Sequence, residues 1–289
     1  MFSFPAFGLP ALSVLSIILF SAVSAPAEVD YRHFNFLKRK LVADGFDEER
    51  ISALFKDPDL SFTGDVAASY FRHQESKLNY KQFTSDHAIE KAKNYMDEYG
   101  DELSRIQEAF GVDKTVITAI MLVETRLGTY VGTRPVLRTL STIASLENHI
   151  SRDILWREHL NSYKLSRKKY DRKALRKAGW AYRELKALLT YAERENVDPA
   201  SIVGSYAGAV GIAQFMPTNI LSLGMDGDQD GSVDLFTHPD AIASIANYLK
   251  NSGWKPGIDR EKAFKIIYSY NHSRYYVNTI LEISDLLKG

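Results

Sequence analysis

The chain has 289 residues, and its 36 lysines and arginines balance its 36 aspartates and glutamates. This length provides one large domain or two small ones. The formal charge of zero argues against nucleic acid as the main partner, because phosphate binding usually leaves a basic excess. The sequence contains no cysteine, which excludes disulfides, thiolate metal ligands, cysteine nucleophiles and a lipid attached to an N-terminal cysteine.

The first 27 residues carry no charged side chain and include the apolar run SVLSIILFSAVSAPA. This pattern predicts a secretory signal peptide with cleavage after Ala25 or Ala27, and an uncleaved N-terminal anchor is the alternative. Pro5 and Pro10 make the apolar helix short for a membrane span. No later stretch approaches membrane-spanning length, so we expect a mature protein that is exported and soluble.

Apolar residues recur at helical spacing in nearly every segment after Glu28, and no run alternates convincingly as a strand does. The fold class is therefore predicted to be all-α. The pattern predicts a helical region over about 29–57, one long helix from Ser85 to Gly111, and a short helix that starts after Asp113. Further helices are predicted around residues 137–148, 153–163, 172–195, 239–252, 259–269 and 274–288.

Glu124 interrupts the apolar stripe of the short helix, between Ile120 and Leu127 at helical spacing. An unpaired buried charge is costly, so this glutamate must pair, face a cleft or stay protonated near neutral pH. Its place near the negative C-terminal pole of the helix also favours the protonated form. A glutamic acid that stays neutral can act as a general acid. A structural ion pair with Arg126 or Arg134 is the alternative.

Residues 204–217 read GSYAGAVGIAQFMP, a stretch in which three glycines are separated by small or apolar residues. Glycine lets the backbone approach a ligand closely. The stretch is not a phosphate loop, because no Gly-Lys-Ser/Thr sequence follows. Ser205 and Gln214 are polar side chains within this apolar stretch. They favour the wall of a binding site, and a tightly packed helix pair that needs small residues is the alternative.

The sequence DGDQDGSVDLFTHPD repeats the start of an EF-hand loop. Asp226, Asp228 and Asp230 at alternate positions supply the hard oxygen ligands that Ca²⁺ prefers, and Ser232 would add its backbone carbonyl. The twelfth position lacks the usual glutamate, but Asp240 can close a longer loop. We predict a structural calcium site, and an acidic turn without metal is the alternative.

The sequence YSYNHSRYY near the C-terminus brings together Tyr268, Tyr270, Asn271, Tyr275 and Tyr276. Tyr270 and Asn271 offer a ring and an amide, a combination that suits sugars because sugars present both apolar faces and hydroxyls. An ordinary aromatic core cluster is the alternative. The seven histidines show no metal-binding spacing.

Residues 164–177, KLSRKKYDRKALRK, carry eight basic side chains and one acidic side chain. A solvated helix face is the simplest interpretation of such a run. Attraction to an anionic polymer is the alternative, and it predicts salt-sensitive binding that depends on Arg167, Lys168 and Lys169.

Four motifs, in this order and spacing, resemble the membrane-bound lytic transglycosylase B family: VETRLGTYVG, GSYAGAVGIAQFMP, the aspartate loop that leads into DAIASIANYLKNSGW, and YNHS. The resemblance covers roughly residues 76–289 and implies a lysozyme-like helical catalytic core there. Residues 1–27 then form the signal peptide and residues 28–75 an N-terminal helical region. The basic stretch 164–177 has no clear counterpart in the family, and the missing cysteine implies a soluble periplasmic relative rather than a lipoprotein.

The resemblance implies cleavage of the β-1,4 bond between MurNAc and GlcNAc in peptidoglycan, with Glu124 at the position of the family's single catalytic glutamate. Glu124 would first protonate the glycosidic oxygen and then accept a proton from the C6 hydroxyl of MurNAc, which closes a 1,6-anhydro ring without water. The resemblance implies two further groups of site residues. Substrate binding is implied for Ser205, Gln214, Tyr270, Asn271, Tyr80 and Arg152, and calcium binding for Asp226, Asp228, Asp230, Ser232 and Asp240.

The implied partner is a peptidoglycan glycan strand, bound by a monomer with no membrane span after signal removal and no affinity for nucleic acid. Calcium would support the structure and would not be needed for the chemistry. The sequence leaves three alternatives open: a muramidase that admits water and leaves reducing ends, a non-catalytic peptidoglycan-binding module, and a calcium-regulated signalling protein. A single calcium loop fits the last of these least well.

Overall fold

The computed structural model describes residues 32–72, 79–160 and 165–289. The predicted signal peptide therefore lies outside the described residues. Within these ranges the chain forms thirteen α-helices and one pair of two-residue strands, which confirms the all-α prediction. In the described part of the chain, no helix is long and apolar enough to cross a membrane.

The helices are α1 (Arg32–Ala43), α2 (Glu48–Leu54), α3 (Gly64–Arg72), α4 (Asp86–Glu98), α5 (Gly100–Phe110), α6 (Lys114–Thr125), α7 (Val136–Ala144), α8 (His149–Leu155), α9 (Arg167–Arg194), α10 (Pro217–Leu223), α11 (His238–Asn251), α12 (Arg260–Tyr270) and α13 (Arg274–Leu287). The strands β1 (Arg134–Pro135) and β2 (Val203–Gly204) pair antiparallel. Short 3₁₀ turns span Tyr80–Thr84 and Ser145–Glu147, and a π-helical turn spans Trp156–Leu160.

The predicted long helix from Ser85 to Gly111 is wrong, because the chain breaks into α4 and α5 at Tyr99. Tyr99 has φ −102° and ψ 25°, outside helical values, and the next residue is Gly100, a poor helix former. The apolar pattern continues across the break, since Tyr95 and Leu103 are both buried. Periodicity alone therefore cannot reveal the interruption. Gly111 does end α5, with φ 70°.

The helix predicted at 172–195 begins earlier, at Arg167, so that most of the basic stretch is helical. Two short helices, α3 and α10, were not predicted. Pro217 occupies the first turn of α10, where its missing N–H costs nothing. The helices predicted at 137–148 and 153–163 are each replaced by a shorter α-helix followed by a 3₁₀ or π turn.

Helix α6 lies at the centre of the molecule and packs against α13, α4, α5 and α11. Asp113 stands at its N-cap position as predicted, but the Asp113 side chain accepts no capping hydrogen bond. The side-chain oxygen of Gln107 accepts the Lys114 N–H instead, at 2.8 Å. Nearly every side chain of α6 is buried, so the helix is held rigidly by its surroundings.

Two hydrophobic clusters organise the described chain. The larger one joins Phe34 and Leu41 of α1 to Ile117 of α6 and the apolar face of α13. The smaller one groups residues of α3, α8 and the start of α9, including Phe71 and Tyr170. The described part of the N-terminal region thus packs on the rest of the molecule. The predicted boundary between residues 75 and 76 falls in the undescribed stretch 73–78 and stays a prediction.

Candidate active site

A cavity of about 570 Å³ opens beside the C-terminal end of α6. Its described wall comes from that helix, the Tyr80–Thr84 turn, both strands, the glycine-rich stretch and the start of α13. Five of the seven predicted catalytic and substrate-binding residues meet in this wall. They are Glu124, Ser205, Gln214, Asn271 and Tyr80.

Glu124 lies in the last turn of α6 and is half-buried. It is the only carboxylate among the described residues that line the cavity, and Arg134 is the only cation among them. The other arginine considered for a structural ion pair, Arg126, donates to Gln82 Oε1 at 3.3 Å. The described wall of the cavity therefore offers one acidic group and one cation among neutral polar and aromatic side chains.

The end of α6 is an unusual backbone segment that fixes where Glu124 lies. Arg126 and Leu127 have φ of 52° and 61°, and Gly128 follows with φ 82°. Left-handed conformations cost a side-chain-bearing residue about 1–2 kcal/mol each. The buried Thr125 compensates, because its Oγ1 accepts from Gly128 N at 3.0 Å and donates to Ile212 O at 3.1 Å. The turn is thereby attached to the glycine-rich stretch opposite.

Tyr276 is a functional candidate that the sequence placed only in an aromatic cluster. Ser273 Oγ accepts the Tyr276 N–H at 3.2 Å and so caps α13, which sets the Tyr276 ring against the cavity. The hydroxyl is buried and has no partner in full hydrogen-bond geometry among the described atoms. Burial, followed by the charge of Glu124 and its approach to the hydroxyl, raises the pKa of Tyr276 well above its usual value. The tyrosine therefore stays neutral beside the carboxyl group.

The glycine-rich stretch holds its two polar side chains through its own backbone. Ser205 Oγ accepts from Ala209 N at 3.0 Å. Gln214, at φ 50°, donates its amide to Gly211 O at 2.8 Å and Val131 O at 3.2 Å. Both amide hydrogens are thus directed at carbonyls. The amide oxygen is the group that a ligand can use.

Tyr270 does not line the cavity but lies directly behind its wall. Its hydroxyl donates to Ala213 O at 2.5 Å, and its ring contacts Phe215, Tyr248 and Tyr276. Burial, and then the charge of Glu124, raises the pKa of Tyr270 well above its usual value. Its place fits the aromatic-cluster alternative, and it supports the wall rather than facing the cavity.

Arg152 is not among the described residues that line the cavity. It lies on α8, where its guanidinium donates to Leu146 O at 2.8 Å and Glu147 O at 2.7 Å, and its own carbonyl accepts from Tyr170. These bonds give Arg152 a structural role beside the smaller hydrophobic cluster. The predicted contact with substrate has no support from this geometry.

Two glycines let the strands close the side of the cavity. A Cβ on Gly132, which has φ 91°, would lie 2.2 Å from Gly204 O. A Cβ on Gly204 would lie 2.1 Å from Ala209 O. No other residue fits at either crossing. Backbone contact at these positions sets the distance between Ser205 and the segment that follows α6.

The aspartate loop lies apart from the cavity. Carboxylate oxygens of Asp226, Asp228 and Asp240 approach within 4.8 Å of one another, while Asp230 lies outside this group and accepts from Ser232 N at 2.9 Å. Asp240 is only 2 % exposed. Burial, followed by the charges of Asp228 and Asp226, raises its pKa. Three hard oxygen donors around a common point are the set that Ca²⁺ prefers.

An all-α fold whose described cavity wall has one glutamate among polar and aromatic side chains is the arrangement of a lysozyme-like protein. The chain belongs to the family described as Transglycosylase SLT domain, whose profile matches residues 30–262. It is 31% identical over 177 residues to membrane-bound lytic murein transglycosylase B of Escherichia coli (strain K12), which covers 61% of this chain and 42% of the relative. The aligned part of the chain thus spans less than half of that relative's length.

Solved structures confirm the lysozyme-like fold predicted from the sequence. Soluble lytic transglycosylase SltB1 of Pseudomonas aeruginosa matches with TM-score 0.71 and 22% identity, over 89% of this chain and 98% of that one. Escherichia coli Slt35 in complex with calcium gives 0.69 and 22%, over 89% and 92%. SltB3 of Pseudomonas aeruginosa in complex with NAG-NAM-pentapeptide gives 0.70 and 20%, over 90% and 80%.

Proposed function

We propose that the protein is a lytic transglycosylase that cleaves the MurNAc–GlcNAc β-1,4 bond of peptidoglycan in the periplasm. Membership of the family and the murein-cleaving relative support this activity. The observation that carries the proposal is Glu124 as the one carboxylate on the described cavity wall. Most glycosidases need a second carboxylate, which attacks C1 in retaining enzymes and activates water in inverting enzymes. A single acid suits a reaction in which groups of the substrate itself stabilise C1 and attack it, in place of a second carboxylate.

In the proposed cycle Glu124 enters protonated and gives its proton to the glycosidic oxygen as the C1–O bond breaks. The substrate's own N-acetyl group stabilises the electron-deficient C1. The ionised Glu124 then takes the proton of the C6 hydroxyl while that oxygen bonds to C1. Glu124 is regenerated as an acid, no water is consumed, and the product carries a 1,6-anhydro ring.

The neutral groups on the cavity wall are assigned to binding. The Gln214 amide oxygen and the Asn271 side chain offer hydrogen-bond partners to sugar hydroxyls, and Tyr80 offers an aromatic surface. Ser205 lies on the same wall, but its Oγ also holds backbone N–H groups. We assign the neutral hydroxyl of Tyr276 to positioning the Glu124 carboxyl group.

The test is Glu124→Gln, which keeps the size of the side chain and removes its acid. We expect release of soluble fragments from purified sacculi to fall at least about 100-fold, within the range typical of a lost general acid. The matched control is Glu282→Gln on α13, whose side chain is exposed, and it should keep wild-type activity. Both variants should unfold within a degree or two of the wild type. Activity retained by Glu124→Gln would overturn the assignment.

We also propose that the aspartate loop binds a structural calcium ion through Asp226, Asp228 and Asp240, with Asp230 and the Ser232 carbonyl as further donors. The convergence of three carboxylates, one of them buried, supports this proposal, as does the calcium complex of Escherichia coli Slt35. When bound, the ion would neutralise these carboxylates and hold the loop. It would take no part in bond cleavage.

A further inference from the structure

The basic stretch 164–177 divides into groups with different surroundings. Arg167 at the start of α9 forms ion pairs with Asp153 and Asp171, so its charge is neutralised within the fold. Lys168 and Lys169 extend into solvent. A third group consists of Lys173, Arg176 and Lys177, of which Lys173 and Lys177 are partly buried.

Lys173, Arg176, Lys177 and Trp180 follow helical spacing and form one stripe on α9. Aromatic rings of this helix and α3 hold the stripe in place. Lys177 Nζ lies 4.9 Å from the centre of the Tyr70 ring and 5.0 Å from that of Trp180. Such cation–π contacts fix an ammonium group that would otherwise move freely. The ammonium group of Lys177 is therefore held at one place on the surface.

An aromatic path connects this stripe to the active-site cavity. The Tyr70 ring stacks on Trp180, with centroids 5.9 Å apart, and lies 6.4 Å from the Tyr206 ring. Tyr206 is part of the cavity wall. A polymer that occupies the cavity and continues past Tyr206 therefore reaches the cations of α9 next.

The charges of the stripe are not neutralised within the described chain. No ion pair joins Lys173, Arg176 or Lys177 to a carboxylate in the described ranges, whereas Arg167 and many other cations have such partners. Burial, and then the charge of Arg176, lowers the pKa of Lys177. Clustered like charges cost free energy unless an anion offsets them. The stripe is thus complementary to an anionic ligand.

We propose that Lys173, Arg176 and Lys177 form a cationic ledge that binds the carboxylates of the peptide chains carried by the glycan strand in the cavity. This inference rests on the proposed function, which places a glycan strand beside Tyr206. The sugars of such a strand are neutral once their lactyl groups are linked to peptide. The free carboxylates of the substrate are therefore on its peptides, and the ledge would favour strands whose peptide carboxylates are free over strands in which they are blocked as amides.

The experiment compares Arg176→Gln/Lys177→Met with the control Lys168→Gln/Lys255→Gln. The methionine keeps the apolar stem between Tyr70 and Trp180, and the control removes two exposed charges elsewhere. Each protein digests two substrates at low concentration and low salt: glycan strands with peptides, and the same strands after their peptide carboxylates have been converted to neutral amides. We expect the ledge variant to lose roughly fivefold in rate on the first substrate only. The control should match the wild type on both.

Other results would overturn the proposal. Equal loss on both substrates would show that the ledge acts on the sugar or on the fold, and unchanged rates on both would show a solvated face. If the wild type cleaves neither substrate, the proposed function fails as well. If the wild type cleaves both and the ledge variant behaves identically, only the ledge proposal fails.

Discussion

The proposed mechanism depends most on one pair of residues, Tyr276 and Glu124. The Tyr276 hydroxyl is buried beside the carboxyl group and has no other partner in good geometry among the described atoms. A buried hydroxyl with poor hydrogen bonding contributes little to stability, and its removal can be neutral or stabilising. A role in positioning Glu124 would give this hydroxyl a function that stability does not.

We therefore expect Tyr276→Phe to lower activity about tenfold, the loss of one modest hydrogen bond in the transition state. The melting temperature should stay the same or rise. The pH dependence of the rate should also shift, because the neighbour of the catalytic acid has changed. Tyr275→Phe is the control, since that side chain is 60 % exposed. An unchanged rate and pH profile in Tyr276→Phe would contradict the positioning role.

Sequence reasoning found Glu124 because an acid on an apolar helical stripe violates the usual pattern. Tyr276 gave no such signal, since a tyrosine in an aromatic cluster is ordinary. Its proposed role depends on proximity to a residue 152 positions away in the chain, and only the fold shows that proximity. The place of Arg152 could not be predicted for a related reason, because its partners, the carbonyls of Leu146 and Glu147, are backbone atoms that no side-chain pattern reveals.

At the scale of elements, the crossing between the segment after α6 and β2 determines the side of the cavity. Gly132 lies at φ 91° and its backbone passes so close to Gly204 that no side chain fits. We expect Gly132→Ala to cost about 2–3 kcal/mol in the free energy of unfolding, because strain and overlap add. The loss of activity should exceed the loss of folded protein, because Ser205 moves with the strand.

Gly179→Ala is the control for this crossing. Gly179 lies within α9, and a Cβ there would meet no atom within 4 Å. Alanine should stabilise the helix by about 0.5–1 kcal/mol, because glycine is a poor helix former. Urea denaturation measures both variants. Equal free energies of unfolding for Gly132→Ala and the wild type would show that the crossing tolerates a side chain.

Helical periodicity predicted most elements with small errors at their ends, because an apolar face repeats wherever a helix packs on a core. It failed where that face continues through a break, as at Tyr99, and where a helix is too short to show its period, as in α3 and α10. The pairing of β1 with β2 involves two residues of each strand. Such short strands carry no alternation that a sequence can display.

At the scale of the whole molecule, the aspartate loop joins distant helices. Arg105 of α5 donates to Gly227 O at 2.6 Å, Tyr191 of α9 donates to Val233 O at 2.7 Å, and Asp240 of α11 accepts from Gly227 N at 2.7 Å. The sequence predicted the ligands from their spacing. It could not predict that the loop connects three helices of the core.

Calcium should therefore stabilise the entire fold. Relative to a chelator-treated sample, free calcium at about 100 times its dissociation constant adds about 2.7 kcal/mol and raises the melting temperature by several degrees. Asp228→Asn should remove most of this rise. The exposed Asp97→Asn on α4 should keep it. A wild-type melting temperature that does not respond to calcium would contradict the site.

The central claim is that Glu124 acts alone and that the C6 hydroxyl, not water, attacks C1. The most direct test is digestion of purified sacculi in water enriched in ¹⁸O, followed by mass spectrometry of the released fragments. The account predicts products lighter by one water than the reducing sugars, with no ¹⁸O at C1, and no such products from Glu124→Gln. Reducing ends that carry ¹⁸O would show hydrolysis and contradict the account.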